Sequence, residues 1–399
     1  MTLTLAPRAV RSPLKILYVM DALHWGETAA GTEGQLVQLL THLDRDRFEP
    51  HLAVFRPTPY TQSAATFPCP LKVLNISKLF HPGAVMKLAK LGADVRSGGF
   101  QIVHVFLNDA AVAAPLFCRI GGARVIVSRR DMGFWYTKPV LRALSVSNLF
   151  VDRMIANSDA VRRNVHHHER YPLARIDVLP NGHDPARFDA EPMEDFRTRF
   201  NIGPDDPIIG MVANFNPWKR HIDLVKAFVR ISAAHPTAHL ALVGGGDAEP
   251  LRAEARQHGL ERRVHIVEGI TNAIPVVKHF TVGVLCSDSE GASNAVMEYM
   301  GSGKPTVCTN VGGNPELITD NVTGFLVTPR DVDTLAGRIG HLLAHPDGAA
   351  SMGHLARLTA NRFTSRRMAD LHMDLYEGLA QTPRATEVLH QIGDRPSLS

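Results

Sequence analysis

The sequence has few cysteines and no long apolar run, and each absence excludes a class of protein. Its 399 residues include four cysteines, whose spacing matches no metal-binding motif. Cys286 and Cys308 fall inside predicted strands, so we expect small buried side chains in a reducing compartment. No apolar stretch approaches the roughly 20 residues that cross a bilayer. The run at 16–20 is too short for the core of a signal peptide.

The sequence also lacks a strong charge of either sign. Lysine and arginine number 43 against 39 aspartates and glutamates, a formal net charge of +4. This mild excess does not suggest a nucleic-acid partner, but it suits a protein that handles anionic nucleotides or touches an anionic membrane surface. We expect a cytoplasmic protein, with peripheral contact at the inner face of the membrane as an open alternative.

What the sequence does contain is a regular alternation of strand-like and helical stretches. This alternation is typical of parallel sheets with crossover helices, and the length suits two domains. Predicted strands of the first series lie at 15–20, 51–55, 71–75, 102–106, 124–128, 153–156 and 176–179. Those of the second lie at 208–213, 239–243, 264–267, 282–286, 306–309 and 324–327.

The predicted architecture is α/β, with two doubly wound, Rossmann-like domains and a cleft between them. We place the domains at 1–185 and 186–365, a last helix at 366–382 and a loose tail at 383–399. The first dozen residues are also expected to be loose. Residues 181–185 and the charged stretch to 199 are predicted to form the hinge. In the last helix, a shared face is predicted for Met368, Leu371, Leu375 and Leu379.

The most informative stretch follows the predicted strand at 282–286. A polar turn with Gly291 leads into a short helix, which places unpaired amides at the carboxyl edge of the sheet, where anions bind. Glu290 and Glu298 frame this turn and can accept hydrogen bonds from hydroxyls. Phosphate and hydroxyls together indicate a sugar nucleotide. Alternatively, both glutamates are solvated carboxylates that the helix dipole favours.

The same stretch resembles the Glu-x7-Glu signature of the family-four retaining glycosyltransferases, which have the GT-B fold. It reads Glu-Gly-Ala-Ser-Asn-Ala-Val-Met-Glu at 290–298, then Gly-Lys-Pro-Thr-Val at 303–307 and Gly-Gly-Asn-Pro-Glu-Leu-Ile at 312–318. The resemblance covers roughly residues 14 to 380. It implies that the last helix crosses back to the first domain. It also implies transfer of a hexosyl group from a UDP- or GDP-sugar to a glycan or lipid-linked acceptor in cell-surface polysaccharide biosynthesis.

Two further turns resemble family motifs that approach the donor diphosphate. Gly31 and Thr32 stand in the Gly-Gly-x-Glu turn, with Ala30 at the position of the first glycine. Thr32 and Gln35 also fit a capping box, so an ordinary capped helix explains the same residues. The predicted core stripe of that helix is Leu36, Val37, Leu39, Leu40 and Leu43.

The second of these turns resembles the Arg-x4-Lys pair that clamps the diphosphate. Lys219 matches the lysine, whereas Asn214 occupies the arginine position. Asn214 can donate a hydrogen bond but carries no charge. Arg220, or an arginine of the stretch 128–131, is a candidate to compensate.

The resemblance assigns roles to the remaining donor residues. Glu290 would hold the sugar hydroxyls and Glu298 the ribose, while amides around Gly291, Ser293 and Asn294 would stabilise the diphosphate. No residue stands out as a covalent nucleophile. The resemblance implies that the acceptor oxygen attacks on the leaving-group face, with the phosphate taking its proton.

Acceptor-side candidates follow two strands of the first domain. His104 lies where the family often has His-x-His, but Phe106 occupies the position of the second histidine. His104 is therefore either a third catalytic candidate, in addition to Glu290 and Lys219, or a core residue whose hydrogen bonds are satisfied. Arg129, Arg130 and Asp131 precede the aromatic run at 134–136, which suits an acceptor, a membrane interface or a packed loop.

Signals for other chemistries are weak. Residues 244–247 lack the dinucleotide-binding glycine spacing, and 303–305 lack a P-loop hydroxyl. Asp-x-Asp occurs at 44–46 and 331–333, where it is explained by chance, and the histidine run at 166–168 is explained by a solvated helix surface. We expect no metal and no cofactor besides the donor. Two alternatives stay open: a sugar-nucleotide 2-epimerase of the same fold, and a non-catalytic binding or scaffold protein.

Overall fold

The computed structural model describes residues 12–24, 31–63, 67–79 and 81–382. The tails at 1–11 and 383–399, for which loose chain is predicted, lie outside this part of the chain. Ala30, predicted to stand in the first glycine-rich turn, also lies outside it.

Within the described residues, the first half forms a parallel sheet of seven strands. The strands are β1 Leu14–Met20, β2 Phe48–Val54, β3 Leu71–Val73, β4 Ile102–Val105, β5 Arg124–Arg129, β6 Arg153–Ala156 and β7 Ile176–Val178. Their order is β3-β2-β1-β4-β5-β6-β7. The connecting helices are α1 Thr32–His42, α2 Pro59–Gln62, α3 Pro82–Ser97, α4 Asn108–Ile120, α5 Lys138–Ser147 and α6 Asp159–Glu169.

The second half forms a parallel sheet of six strands. The strands are β8 Ile208–Val212, β9 His239–Val243, β10 Val264–Val267, β11 Val282–Leu285, β12 Thr306–Thr309 and β13 Phe325–Val327. Their order is β10-β9-β8-β11-β12-β13. The helices are α7 Phe196–Arg199, α8 His221–Ala234, α9 Glu249–Gln257, α10 Ile274–Val277, α11 Asn294–Gly301, α12 Asn314–Leu317, α13 Val332–Ala344 and α14 Pro346–Ala360.

The predicted fold class is confirmed. Within the described residues, each of the thirteen strands overlaps a strand predicted from the sequence. Helices cover both faces of each sheet, which explains why the central strands are apolar without alternation. The predicted stripe of α1 is also confirmed, since all five of its members are buried.

A final helix, α15 Ser365–Gln381, packs on the core of the first domain. Its contact face differs from the predicted one. Of the predicted stripe only Met368 is fully buried, and the leucines lie at the edge of the contact. The fully buried face is Ser365, Met368, Ala369, His372, Met373 and Tyr376. A buried histidine and tyrosine therefore occupy positions that a search for apolar residues passes over.

The two domains meet at the hinge, where the chain crosses twice. His183 N donates to the Phe363 carbonyl at 2.9 Å, and Ser365 N donates to the His183 carbonyl at 2.9 Å. The entry into α15 is thus hydrogen-bonded to the first crossing. Nowhere in the described ranges is a helix both long enough and apolar enough to cross a membrane.

Candidate active site

The first turn of α11 has free backbone donors. The Ser293 side chain accepts a hydrogen bond from Val296 N and caps the helix at 3.2 Å. The amides of Asn294 and Ala295 donate to no residue that the structure describes. Unpaired amides and the helix dipole give this end of the helix an affinity for anions.

Two glycines allow close contact around the turn that precedes α11. A Cβ on Gly312, whose φ is +52°, would lie 1.6 Å from the Glu290 carbonyl oxygen. A Cβ on Gly291 would lie 2.2 Å from the Arg130 carbonyl oxygen of the first domain. Because neither glycine has a side chain, the loop after β12 and the first domain both pack closely against this turn, at the floor of the cleft.

Lys219 and Glu290 form an ion pair at this turn. The lysine ends a 3₁₀ turn, Pro217–Lys219, that follows β8. Its Nζ lies 2.6 Å from Glu290 Oε1, and the two side chains are 23% and 9% exposed. A lysine ammonium has three donors, so two remain for a ligand, and the second carboxylate oxygen can accept from hydroxyls.

Asn214 and Arg220 lie beside this pair, but neither offers a free cation. Asn214 is exposed, and its Oδ1 accepts from Gly245 N at 3.4 Å. Arg220 makes a two-point ion pair with Asp223, at 2.8 and 2.7 Å. The suggestion that Arg220 compensates for Asn214 is therefore not supported by the geometry.

Glu298 lies one turn along α11. Arg187 Nη2, from the segment after the hinge, is 3.5 Å from Glu298 Oε1. Burial raises the pKa of the Glu298 carboxyl, and the neighbouring guanidinium partly opposes that rise. The carboxylate is enclosed but not fully satisfied, as expected of a group that accepts from a ligand.

Gly31 is the N-cap of α1 and has φ +76°. A Cβ at this position would meet no atom of the described residues within 4 Å. Thr32 begins the helix, but the predicted capping box is wrong, because Gly31 is the N-cap and no side chain caps the helix. Gln35 instead donates to the Gly182 carbonyl at 3.0 Å and accepts from Gly182 N at 2.8 Å.

Asn181 joins the hinge to the start of α11. Its Nδ2 donates to Asn294 Oδ1 at 2.7 Å and approaches the Ala292 carbonyl at 3.3 Å. Its Oδ1 accepts from Arg130 Nη2. Sequence analysis identified Asn-Gly at 181–182 only as a hinge turn, because none of its partners is close in the chain. Together with the Gln35 contacts, it brings the start of α1 and the start of α11 to one cleft.

His104 is a core residue, which corrects its assignment as catalytic. It has no exposed surface. Its Nδ1 contacts Tyr376 Oη at 2.7 Å, and its Nε2 contacts Ser128 Oγ at 2.8 Å. Burial keeps its pKa well below the ordinary value. With both nitrogens paired inside the protein, the ring has no atom left for a ligand.

Arg129 and Asp131 are likewise internal, which corrects their assignment to the acceptor. Arg129 makes a two-point ion pair with buried Glu169, at 2.6 and 2.9 Å. Glu169 also accepts from Tyr136 and Asn148. Asp131 Oδ1 accepts from Gly133 N at 2.7 Å and Trp135 Nε1 at 3.1 Å, so it shapes the aromatic loop.

Further contacts hold the cleft together from both sides. Glu316 of the second domain accepts from the amides of Asp159 and Ala160 at the start of α6, both at 2.8 Å. Phe134 and Trp218, one from each domain, stack with ring centroids 5.8 Å apart. These rings are 69% and 42% exposed, so the stack lies at the mouth of the cleft.

No group of three or more potential metal ligands is found among the described residues. Asp331 accepts from Thr334 N as the cap of α13, and Asp44 accepts from Asp46 N. Both Asp-x-Asp occurrences thus have local roles in the chain.

Comparisons with known proteins agree with this geometry. Residues 29–187 match the family described as "Glycosyltransferase Family 4", and residues 192–359 match "Glycosyl transferases group 1". A GDP-mannose-dependent α-(1-6)-phosphatidylinositol monomannoside mannosyltransferase of Mycolicibacterium smegmatis is 30% identical, over 65% of this chain and 72% of that relative. The chain belongs to the family-four glycosyltransferases.

Solved structures show the same fold for this glycosyltransferase. HepE from Anabaena, determined in complex with UDP, has a TM-score of 0.79 at 20% identity, over 92% of this chain and 100% of HepE. A glycosyltransferase from Rickettsia africae has a TM-score of 0.82 at 19% identity, over 94% and 100%. The two-domain GT-B fold predicted from the sequence is therefore confirmed.

Proposed function

We propose that this glycosyltransferase transfers a hexosyl group from a nucleotide-diphosphate sugar, with a uridine or guanosine base, and retains the anomeric configuration. The observation that carries the proposal is the Lys219–Glu290 pair beside the open amides of Asn294 and Ala295. Cationic and amide donors suit a diphosphate, and a carboxylate within reach suits sugar hydroxyls. The M. smegmatis relative is named as GDP-mannose-dependent, and HepE has been determined in complex with UDP-glucose, so both names point to nucleotide-diphosphate sugars.

The donor would lie across the first turn of α11. Lys219 and the amides of Gly291, Ser293 and Asn294 face its diphosphate, Glu290 its sugar hydroxyls and Glu298 its ribose. Gly31, where a Cβ would meet none of the described residues within 4 Å, approaches from the first domain, with Thr32 beside it. Asn214 lies in the same loop after β8 as Lys219 and would supply a neutral hydrogen-bond donor.

Catalysis would depend on stabilising the departing nucleoside diphosphate. Lys219 and the α11 amides neutralise the negative charge that develops as the glycosidic bond breaks. The acceptor oxygen attacks from the same face, and its proton passes to the phosphate. Glu290 is held by Lys219 as an acceptor for hydroxyls rather than as a nucleophile. We propose that this chemistry proceeds without a bound metal.

The acceptor would be a glycan or a lipid-linked precursor in cell-surface polysaccharide synthesis. The M. smegmatis relative, whose name describes a phosphatidylinositol-linked acceptor, supports a lipid-linked substrate. Such an acceptor would place the protein in the cytoplasm, at the inner face of the membrane.

A donor panel tests the proposal. The purified protein is heated with UDP- and GDP-hexoses, since a ligand of the folded state raises the apparent melting temperature. The donor that stabilises is then incubated alone and with acceptors, and the anomeric configuration of the product is read by NMR. Absence of stabilisation with every donor would contradict the proposal. Release of an altered sugar nucleotide without acceptor would indicate an epimerase instead.

A further inference from the structure

Arg130 differs from the other cations around the cleft in having no carboxylate partner among the described residues. Lys219 is paired with Glu290, Arg220 with Asp223 and Arg129 with Glu169. For Arg130 the described residues provide only the neutral Asn181 Oδ1, bonded to Nη2. A guanidinium presents five N–H donors in a fixed fork, so most of its donors are unused.

The unused donors are not sealed in the core. Among the described residues, Arg129 Nη1 is buried without a partner, whereas no Arg130 atom is both enclosed and unpaired. Arg130 as a whole is half-buried, so its side chain is not enclosed in the core. Burial of the Arg130 guanidinium lowers its pKa to about 10, which still leaves the group charged at neutral pH. A partly buried cation without a counter-ion gains stability when an anion binds.

Hydrogen bonds through Asn181 connect Arg130 to the turn of α11 that carries the free amides. Its guanidinium bonds Asn181, whose amide group in turn bonds Asn294 in the first turn of that helix. Its own carbonyl oxygen lies against Gly291, at the turn before the helix. The first domain thus presents one arginine fork to the place where the second domain presents unpaired amides.

We propose that Arg130 binds the distal phosphate of the donor diphosphate and supplies the charge that Asn214 lacks. This inference rests on the proposed function. With the ribose beside Glu298, the nucleoside end lies along α11, and the distal phosphate and sugar lie toward the first domain. Arg130 would be a binding residue contributed across the cleft, so phosphate contact would require both domains to be in place.

Calorimetry with product nucleotides tests this assignment. We compare UDP and GDP with UMP and GMP on the intact chain, Arg130→Gln, Arg130→Lys and the control Arg142→Gln, an exposed arginine of α5. Loss of a charged hydrogen-bonding fork weakens binding by about 10- to 100-fold. We expect this loss in Arg130→Gln for the preferred diphosphate and little change for its monophosphate. Arg130→Lys, which keeps the charge but not the fork, should fall between, and Arg142→Gln should bind normally.

Each other result has a definite meaning. Equal loss for mono- and diphosphate would show that Arg130 only supports the hinge, and would overturn the inference. Unchanged diphosphate affinity in Arg130→Gln would also overturn it. If the unmodified chain binds neither diphosphate, the proposed function fails first. Melting temperatures of the free variants identify any loss that comes from misfolding, in which case Arg130→Lys, tested in the same way, decides the question.

Discussion

Polar residues collect at the carboxyl ends of the strands in both domains, but the two collections differ in how completely they are paired. In the first domain, Arg129 and Glu169 form a buried network with Tyr136 and Asn148. In the second, Lys219 and Glu290 pair with each other, while the amides at the start of α11 donate to none of the described residues. We call the first network closed because its unpaired atoms, Arg129 Nη1 and Asn148 Oδ1, are buried, and we call the second open.

The difference shows that position in a doubly wound fold does not by itself define a site. Both groups occupy the edge where ligands bind in open α/β sheets. What separates them is whether the atoms left unpaired by the internal hydrogen bonds are buried, as Arg129 Nη1 is, or lie at the end of a helix that a ligand can reach. Arg130 is the exception in the first domain, because it is adjacent to the closed network but has donors to spare.

Removing Glu169 tests whether the first network is structural. Glu169→Ala leaves the Arg129 guanidinium buried without a counter-ion, so we expect a loss of about 3–5 kcal/mol in the free energy of unfolding. Urea denaturation measures it, and the control is Glu261→Ala at an exposed site. Replacing both partners, as Arg129→Met with Glu169→Leu, should cost less than Glu169→Ala alone. A greater loss in the double variant would contradict this account.

Removing Lys219 tests whether the second pair is functional. Lys219→Ala should lower the transfer rate about 10²–10³-fold, because it deletes a cation that stabilises the leaving diphosphate. The exposed Lys226 of α8 gives the matched control, Lys226→Ala, with unchanged rate. Because Lys219 contacts Glu290 directly, Lys219→Ala combined with Glu290→Ala should lose less than the two single losses multiplied. A normal rate in Lys219→Ala would remove the distinction between the two networks.

The stability of the protein should depend on pH through a histidine of α15 that is buried against the first domain. Burial lowers the pKa of His372 to about 4, so it stays neutral in the folded protein while the unfolded chain protonates near pH 6.5. Below pH 6.5 the unfolded state binds more protons, and stability falls toward pH 4 by up to about 1.4 kcal/mol per pH unit for this group. His372→Gln should reduce that slope, whereas His167→Gln, at an exposed site, should not. Urea titrations at several pH values measure the slope of the unfolding free energy against pH. An unchanged slope in His372→Gln would refute the prediction.

The smallest effect is expected where the domains touch at the surface. Phe134→Ala and Trp218→Ala each break the stack across the cleft mouth, and a double-mutant cycle should give a coupling of about 0.5–1.5 kcal/mol in unfolding free energy. Additive losses would show that the stack does not couple the domains. A coupling that is measurable only with bound nucleotide would show that it forms on closure.

Local patterns predicted much of this protein. Apolar runs of strand length between helical stretches located the thirteen strands, because burial on both faces leaves a local signature. Lys219 and Glu290 were found because each lies in a short strand-turn-helix segment whose residue types are visible in sequence. The capping box predicted at Thr32 was wrong for a related reason. A local motif cannot reveal that the Gln35 side chain instead hydrogen-bonds the backbone of the hinge.

The sequence by itself determined the two wound domains and the glycine-containing turn before α11, where backbone segments come into close contact. Only the tertiary structure decided which polar residues are free. His104 is paired with Tyr376, 272 positions away, and Arg129 with Glu169, 40 positions away. A charged side chain looks the same in sequence whether or not a distant partner satisfies it. That partner is set by the packing of the whole chain.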